Sequence, residues 1–242
     1  MTDSPLRILD TGTRRPASVP SGIDLRHQPA LVRRPLTLEP ASLPEVLDRS
    51  CHIVFYSQFA VSTVADADIV SEPERHRFWA VGEQTKNLIA QRFGVDVDFG
   101  DTQEFESLRD KIAACDEPLP IVAFGLRGRS RDLTPVAAKW AVEVREIPVY
   151  ESTAAKPSDL AHAFDEHRPH WLTVTSSRGV ESVVEAIGAQ RLGEKQSAGS
   201  LHIAAIGPST AQTLRKFDLQ ADLVPKTPDR ALLLKAITEF HA

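Results

Sequence analysis

Short apolar runs bounded by turn residues alternate with segments of helical periodicity along this chain. The runs at residues 52–56, 119–124 and 171–175 are apolar at most positions and do not alternate regularly with polar residues. Such runs are typical of parallel strands that are buried on both faces. Because helices are predicted between them, we predict an α/β fold built from parallel sheets that are covered on both sides.

The predicted elements cover most of the chain except its N-terminal region. Six prolines between Thr11 and Pro44 block helix interiors, so only loop and short extended pieces are expected there, for example at residues 36–39. Strands are predicted at residues 6–10, 52–56, 77–81, 95–99, 119–124, 142–150, 171–175, 202–206 and 221–224. Helices are predicted at residues 43–49, from Ser57 onwards, and at residues 84–93, 105–114, 133–141, 160–167, 177–187, 210–217 and 229–240.

Three blocks of the first half recur in the second half in the same order. Val54–Val61 aligns with Thr173–Val180 at an offset of 119, and Ala80–Thr85 aligns with Ala205–Thr210 at an offset of 125. A third block keeps the offset of 125. The repeat predicts two similar α/β domains.

The N-terminal strand is expected to complete the C-terminal half. The first copy continues into a further strand at residues 119–124, whereas the second copy ends without one, so residues 6–10 are expected to supply it. We therefore expect residues 1–35 and 155–242 to form one discontinuous α/β domain. Residues 36–154 then form the other. The chain would cross between the domains twice, which predicts a two-stranded linker and a cleft between the domains, a common setting for ligand sites.

Charge and cysteine usage exclude several classes of protein. The chain has 28 basic and 33 acidic residues and a net charge of -5, whereas proteins that coat nucleic acid or anionic membranes are more often basic. It begins without a basic segment followed by an apolar core, and no run approaches the ~18 apolar residues of a membrane span. We expect a cytoplasmic protein without nucleic-acid or membrane partners. Cys51 and Cys115 lie outside any CxxC pair and are interpreted as small buried hydrophobes.

An arginine triplet and a tyrosine stand out among the remaining residues. Arg127, Arg129 and Arg131 follow a predicted strand, and arginine forks suit carboxylates, although a solvated loop is the alternative reading. Tyr150 closes an apolar strand at the proposed hinge, either as a structural residue or facing the cleft. No phosphate-binding loop, GxSxG element or metal-ligand spacing is present, so we predict neither a nucleotide site nor a metal site.

The repeated turns predict an anion site. Each repeated strand is followed by Ser or by Gly-x-x-Thr at the point where a helix begins. Unpaired N–H groups and the helix dipole bind anions there, although each hydroxyl could also be a simple cap worth about 1 kcal/mol. Ligands of parallel sheets collect at the carboxyl ends of the strands, which favours binding. The predicted substrate-binding set is Ser57, Gly82, Thr85, Arg129, Ser176, Gly207, Ser209 and Thr210.

The blocks together resemble the uroporphyrinogen-III synthase family. Ala204–Leu214, followed by Pro225-Lys-Thr-Pro and a terminal helix, is similar to the C-terminal signature of that family. The similarity runs over about residues 36–242, and the order and spacing of the blocks carry it. The other similar blocks are Phe55–Val61, Val81–Thr85, Gly128–Leu133, Val149–Tyr150 and Thr175–Val180.

The resemblance implies a specific reaction. Family members have two α/β domains on a two-stranded linker and act without metal or organic cofactor. They convert hydroxymethylbilane, a small molecule with eight carboxylates, to uroporphyrinogen III in haem and sirohaem biosynthesis. The hydroxyl is lost, the last ring is inverted through a spiro intermediate and the macrocycle closes. Tyr150 falls on the family tyrosine thought to assist departure of the hydroxyl. We also expect a monomer that makes transient contact with the preceding enzyme of the pathway.

Two departures from the family pattern keep a second function open. Residues 11–35 carry a proline-rich stretch in place of the usual first helix, and Tyr56 stands where the family often has Thr. The alternative to a cyclising lyase is a catalytically degenerate two-domain module that binds an anionic ligand.

Overall fold

The computed structural model describes residues 5–38, 45–102 and 104–241. The strands are β1 (Leu6–Asp10), β2 (Ile23–His27), β3 (Leu31–Pro35), β4 (His52–Phe55), β5 (Arg77–Ala80), β6 (Val97–Phe99), β7 (Ile121–Leu126), β8 (Val144–Ala154), β9 (Trp171–Val174) and β10 (His202–Ala205). The helices are α1 (Gln58–Asp66), α2 (Glu83–Phe93), α3 (Phe105–Ala114), α4 (Thr134–Trp140), α5 (Pro157–His167), α6 (Ser177–Ile187), α7 (Ala189–Ser197), α8 (Pro208–Arg215) and α9 (Arg230–Phe240). Short 3₁₀ helices lie at Glu45–Asp48 and Pro73–Arg75.

The chain divides into two compact units. Unit 1 comprises Met1–Arg33 and Thr153–Ala242, and unit 2 comprises Arg34–Ser152. Strands β3 and β8 each run across a boundary between the units, so the chain passes from one unit to the other twice. Within the described ranges, no helix has both the length and the apolar character needed to span a membrane.

Strands β4 to β7 of unit 2 belong to a six-stranded sheet with the order β3-β8-β7-β4-β5-β6, whose last two strands on one side, β8 and β3, are the ones that cross the unit boundaries. Its central strand β4 pairs in parallel with β5 on one side and with β7 on the other. Every residue of β4 is buried, as its apolar run predicts. Phe55 stacks against Phe78 and Phe124 at centroid distances of 6.4 and 5.3 Å, and these rings form the centre of the unit's core.

Unit 1 contains a four-stranded parallel sheet with the order β10-β9-β1-β2. The N-terminal strand β1 lies between β9 and β2, and Ile8 and Leu9 in its middle are fully buried. Helices α5, α6 and α8 bury their apolar side chains in a single core with β9 and β10. The first and last segments of the chain therefore belong to one packed body.

Several predicted elements differ from the structure. The short extended pieces expected in the proline-rich stretch are the strands β2 and β3, because its prolines flank β2 and lie only at the end of β3. Residues 36–38 form no strand, and Glu39 lies outside the described residues. Residues 221–224 form only a single bridge between Leu223 and Ala204, because Pro225 ends the segment. Helix α7 was not predicted, because only Leu192 is buried in an otherwise polar sequence. Strand β8 extends to Ala154. The helix predicted at residues 43–49 is a 3₁₀ helix at Glu45–Asp48, and residues 43–44 lie outside the described residues.

A buried histidine makes the stability of unit 2 depend on pH. Trp79 donates its indole N–H to Nδ1 of His52 at 3.0 Å, and Nε2 of the same ring lies 2.8 Å from the Glu117 carbonyl oxygen. The ring satisfies both partners only when it is neutral. Burial lowers the pKa of His52 below its ordinary value of 6.5, although the Glu117 carbonyl opposes this shift.

We expect unit 2 to lose stability on acidification. The unfolded chain binds this proton more readily than the folded one, so the stabilisation is fully present above pH 6.5 and declines as the pH falls through the lowered folded pKa. The check is urea unfolding at about pH 7.5 and about pH 5.5 for the wild type and for His52→Gln. The free energy of unfolding should fall less between the two pH values in the variant than in the wild type. Equal declines in both proteins would assign the effect to other histidines.

Candidate functional site

Matching serines cap one helix in each unit. Ser57 precedes α1 at the end of β4, and Ser176 precedes α6 at the end of β9. Both are extended, with φ/ψ of -162°/152° and -168°/159°. Each hydroxyl accepts a hydrogen bond from the N–H of the third helical residue, Ala60 at 3.2 Å and Gly179 at 3.1 Å. The alignment at the offset of 119 therefore joins positions with the same local structure.

Matching glycines precede the neighbouring helices. Gly82 precedes α2 and Gly207 precedes α8, and both are extended. A glycine has no side chain with which to cap the helix, so the first-turn N–H groups keep their partial positive charge available to an anion. Thr85 and Thr210 occupy the third helical position and are only 8% and 2% exposed. Within residues 5–38, 45–102 and 104–241, neither threonine hydroxyl makes a hydrogen bond.

A β-bulge places Tyr150 beside the serine cap of unit 2. Along the β7–β8 pair, Gly125 lies opposite Pro148 but Leu126 lies opposite Tyr150, so one extra residue shifts the register. The Tyr150 ring is 6% exposed and packs edge-to-face on Phe59 at 5.0 Å. Ser57 donates its hydroxyl hydrogen to the phenol oxygen at 3.1 Å. Two predicted site residues that are far apart in sequence are thus brought into contact.

The arginine triplet separates into three environments. Arg127 pairs with Glu151 at 3.0 Å, and the Arg131 guanidinium lies over the Phe105 ring at 5.2 Å. Arg129 is exposed and forms no ion pair within the described part of the chain. It lines a cavity of about 250 Å³ together with Tyr56. Arg129 is therefore the member of the triplet best placed to meet an external carboxylate.

Ser209 lies in the first turn of α8 together with Gly207 and Thr210. Its side chain is exposed, and its carbonyl oxygen lies 3.0 Å from the Thr213 hydroxyl. The first turn of α8 therefore carries an exposed hydroxyl on Ser209 next to the buried hydroxyl of Thr210. This turn belongs to unit 1, and the equivalent turn with Gly82 and Thr85 belongs to unit 2.

Tyr56 is a further polar group at the carboxyl end of β4. Its hydroxyl is buried and has no hydrogen-bond partner among the described residues. Burial is the main cause that raises the pKa of this phenol, Glu146 adds to the shift and Arg131 opposes it. In the sequence, Tyr56 stands out only as a departure from the family pattern. The groups that surround its ring come from α3 and β7, which are distant along the chain, so no local pattern marks it as a buried residue.

A buried carboxylate in unit 1 was not predicted. Asp10 at the end of β1 is 0% exposed. It accepts a hydrogen bond from the Thr173 hydroxyl at 2.8 Å, lies 2.7 Å from Nδ1 of His27 and forms an ion pair with Arg230. These partners come from β9, β2 and the start of α9, so the cluster joins three elements at the strand-end edge. No local sequence signal connects residues so distant along the chain.

One trio of described residues has the separation needed to bind a metal. Ligand atoms of His52, Cys115 and Glu117 lie within 4.8 Å of one another. Arg77 donates to the Cys115 sulfur and to the Glu117 carboxylate, both at 2.9 Å, and both His52 nitrogens have the partners given above. Because a guanidinium already occupies the trio, we do not assign a metal to it.

Comparison with known proteins identifies the family. The sequence model of a family described as uroporphyrinogen-III synthase HemD matches residues 25–235. The chain belongs to this family. Every predicted site residue lies inside the matched range, and the resemblance drawn from the sequence blocks is confirmed.

Relatives and solved structures of the same name are also similar to the chain. It is 25% identical over 197 residues to a uroporphyrinogen-III synthase of Chlorobaculum parvum, covering 77% of this chain and 75% of that protein. The uroporphyrinogen-III synthetase structure from Helicobacter pylori has a TM-score of 0.70 at 13% identity, covering 97% of this chain and 99% of the other. A mutant synthase structure from Thermus thermophilus has a TM-score of 0.55 at 15% identity, covering 98% and 97%. The last two show a shared α/β fold.

Proposed function

We propose that this chain is a cyclising hydro-lyase that converts hydroxymethylbilane to uroporphyrinogen III in tetrapyrrole biosynthesis. Membership of the uroporphyrinogen-III synthase family supports the reaction. The observation that carries the site is a repetition in each unit: at the strand ends, one helix start is capped by a serine and one is preceded by a glycine that leaves it uncapped. The two units then correspond to the two α/β domains, with a two-stranded linker and a cleft that holds the substrate.

The proposed binding site matches the charge of the substrate. Eight carboxylates need several separate anion partners, and the chain as a whole carries a net charge of -5. The four helix starts offer local positive ends despite that overall charge. The exposed guanidinium of Arg129 adds a cation in unit 2. The substrate-binding residues in this proposal are Ser57, Gly82, Thr85, Arg129, Ser176, Gly207, Ser209 and Thr210.

The proposed chemistry needs positioning more than a strong acid. As the bond between the methylene carbon and the hydroxyl breaks, the oxygen takes up a proton and leaves as water, and positive charge develops on the azafulvene. Formation of the closing carbon–carbon bond then releases one proton from the attacked pyrrole carbon, so no net proton is consumed. Substrate carboxylates offset that charge, so no metal or organic cofactor is required. Holding the two chain ends close contributes several kcal/mol by orientation. The Tyr150 phenol donates a hydrogen bond to the departing oxygen as a modest general acid.

The threonine hydroxyls give a direct test of the binding site. We expect the double variant Thr85→Val and Thr210→Val to weaken substrate affinity by about tenfold or more, since a hydrogen bond to a charged group is worth about 1.5–3 kcal/mol. Valine keeps the shape of threonine at these buried positions. Affinity should also fall as salt is raised, because exposed carboxylate contacts are screened.

A matched control uses helical threonines that bond to their own helix. Thr63 donates to the Phe59 carbonyl oxygen and Thr238 donates to the Leu234 carbonyl oxygen. The double variant Thr63→Val and Thr238→Val should bind substrate like the wild type. If both double variants retain full affinity, the Gly-x-x-Thr turns serve only to start helices.

A cytoplasmic location, a monomeric state and transient contact with the preceding pathway enzyme belong to the same proposal. The activity itself is tested by product analysis with hydroxymethylbilane. Isomer III as the enzyme-dependent product supports the proposal, and its absence refutes it.

A further inference from the structure

Unit 1 carries a second concave surface at the opposite edge of its sheet. A cavity of about 810 Å³ lies at the amino ends of β1, β9 and β10, whereas the repeated turns lie at the carboxyl ends. This volume falls in the range of roughly 300–1,000 Å³ that is typical of small-molecule sites. The cavity is lined by side chains from the three strand starts, from α5 and α7, and from the residue that follows α9.

The lining of this cavity is strongly basic. Arg7, Arg168, Arg191 and Lys195 line it, and among the described lining residues Asp165 is the single carboxylate. Asp165 is already paired with Arg191. Within the described ranges, the other three cations form no ion pair, although the charge of Lys195 acts on Asp165 and its ammonium lies 5.9 Å from the centre of the Phe164 ring. Arg7 donates instead to the Arg168 carbonyl oxygen at 2.9 Å and contacts Nε2 of His170 at 3.0 Å.

Three histidines add to the same surface. His170, His202 and His241 line the cavity. Burial lowers the pKa of His170, and the charges of Arg7, His241 and His167 lower it further. Burial and the charge of His202 lower the pKa of His241. Among the residues that the structure describes, Asp222 is a second carboxylate near these rings, and it lies 3.7 Å from Nδ1 of His202. Burial is the larger cause for both His170 and His241, and the neighbouring positive charges act in the same direction.

Compensation of helix dipoles explains only part of this charge. Lys195 lies in the last turn of α7, and Arg168 follows α5, where cations are favourable. Arg7 lies on β1, and its guanidinium donates to the carbonyl oxygen of Arg168, the residue that follows α5, while it lines the same cavity. Each helix C-terminus carries only about half a negative charge, so two helix ends balance about one of the three cations. A negatively charged ligand would balance the rest.

We propose that this cavity binds a small polyanion through phosphate or carboxylate groups, at a site separate from the proposed catalytic turns. Arginine forks bind both kinds of oxyanion, and the Lys195 ammonium adds a compact positive charge. The cavity accordingly is a ligand site on unit 1 that the cyclisation reaction does not use.

Calorimetric titration with two anions tests the proposal. The full chain is titrated with tripolyphosphate and with citrate at about 0.15 M salt. We expect saturable binding of at least one anion at one site per chain, and the preferred anion distinguishes phosphate from carboxylate chemistry. The double variant Arg168→Gln and Lys195→Gln should bind it at least about tenfold more weakly.

A matched variant removes the same charge elsewhere on unit 1. The double variant Arg215→Gln and Lys235→Gln changes two residues that lie outside the cavity. It should change the affinity for the anion by less than about twofold. No saturable binding of either anion overturns the proposal. Equal weakening in the two double variants, or unweakened binding in the cavity variant, also overturns it.

The histidine rings supply an independent readout. A bound anion favours protonated imidazole, so the pKa of His170 and His241 should rise by about half a pH unit or more when tripolyphosphate or citrate saturates the protein. The measurement is an NMR titration of the ring resonances with and without the anion. Unchanged pKa values at saturation place the anion elsewhere and overturn the assignment.

Discussion

Replacing Tyr150 with phenylalanine is expected to slow single-turnover formation of isomer III by about 100-fold, while substrate affinity changes by less than about threefold. The substitution removes only the phenol oxygen that accepts the Ser57 hydrogen bond. The packing of the ring on Phe59 is retained, so the fold should be unaffected. The rate is measured by rapid mixing with limiting substrate, and affinity is measured separately.

Tyr56→Phe is the matched control for this experiment. It removes a phenol hydroxyl from the same unit, and that hydroxyl is buried without a partner among the described residues. Loss of an unsatisfied buried group should leave stability unchanged or raise it. We expect its turnover to stay within about threefold of the wild type. Unchanged turnover in Tyr150→Phe would show that the phenol takes no part in the mechanism and that catalysis rests on positioning of the substrate.

Replacing Asp10 with alanine is expected to lower the free energy of unfolding of unit 1 by about 3–5 kcal/mol. Arg230 and His27 would lose their buried carboxylate partner, and the Thr173 hydroxyl would lose its acceptor. The effect should be strongest at β1, which this cluster connects to β2, β9 and α9. Hydrogen exchange of the β1 and β9 amides, together with urea unfolding, measures it.

Two further variants keep this prediction testable. Asp10→Asn preserves the shape and one acceptor, so it should fold and lose less stability than Asp10→Ala. Asp165→Ala removes an exposed carboxylate from the same unit and should cost less than about 1 kcal/mol, because solvent screens its pair with Arg191. A loss for Asp10→Ala no larger than that for Asp165→Ala would show that the buried cluster contributes little.

Local sequence patterns predicted the strands and helix starts that depend on interactions between residues close together in the chain. The apolar run of β4 indicates a strand buried on both faces, and the structure buries all of it. The serine caps were predictable because Ser57 and Ser176 bind N–H groups only three residues away. Helix α7 was missed because its sequence has almost no buried face to produce a periodic signal.

Contacts between distant residues were beyond the reach of the sequence patterns. Tyr150 meets Ser57 because a bulge between β7 and β8 shifts the register, and Pro148 beside the shift is a sequence signal for a bulge that the strand prediction did not use. Asp10 and Arg230 meet because β1 inserts beside β9, so the first and last elements share one sheet edge. The basic cavity of unit 1 is assembled in the same way, from residues spread between Arg7 and His241.

The most direct measurement is the isomer composition of the product. The purified chain is incubated with freshly prepared hydroxymethylbilane, the products are oxidised, and isomers I and III are separated and quantified. Isomer III requires inversion of the last ring, whereas closure without inversion yields isomer I. Our account predicts that isomer III dominates and that its initial rate of formation is proportional to the concentration of the chain. Formation of isomer I alone, at the rate seen without the chain, would contradict it and favour a module that only binds an anionic ligand.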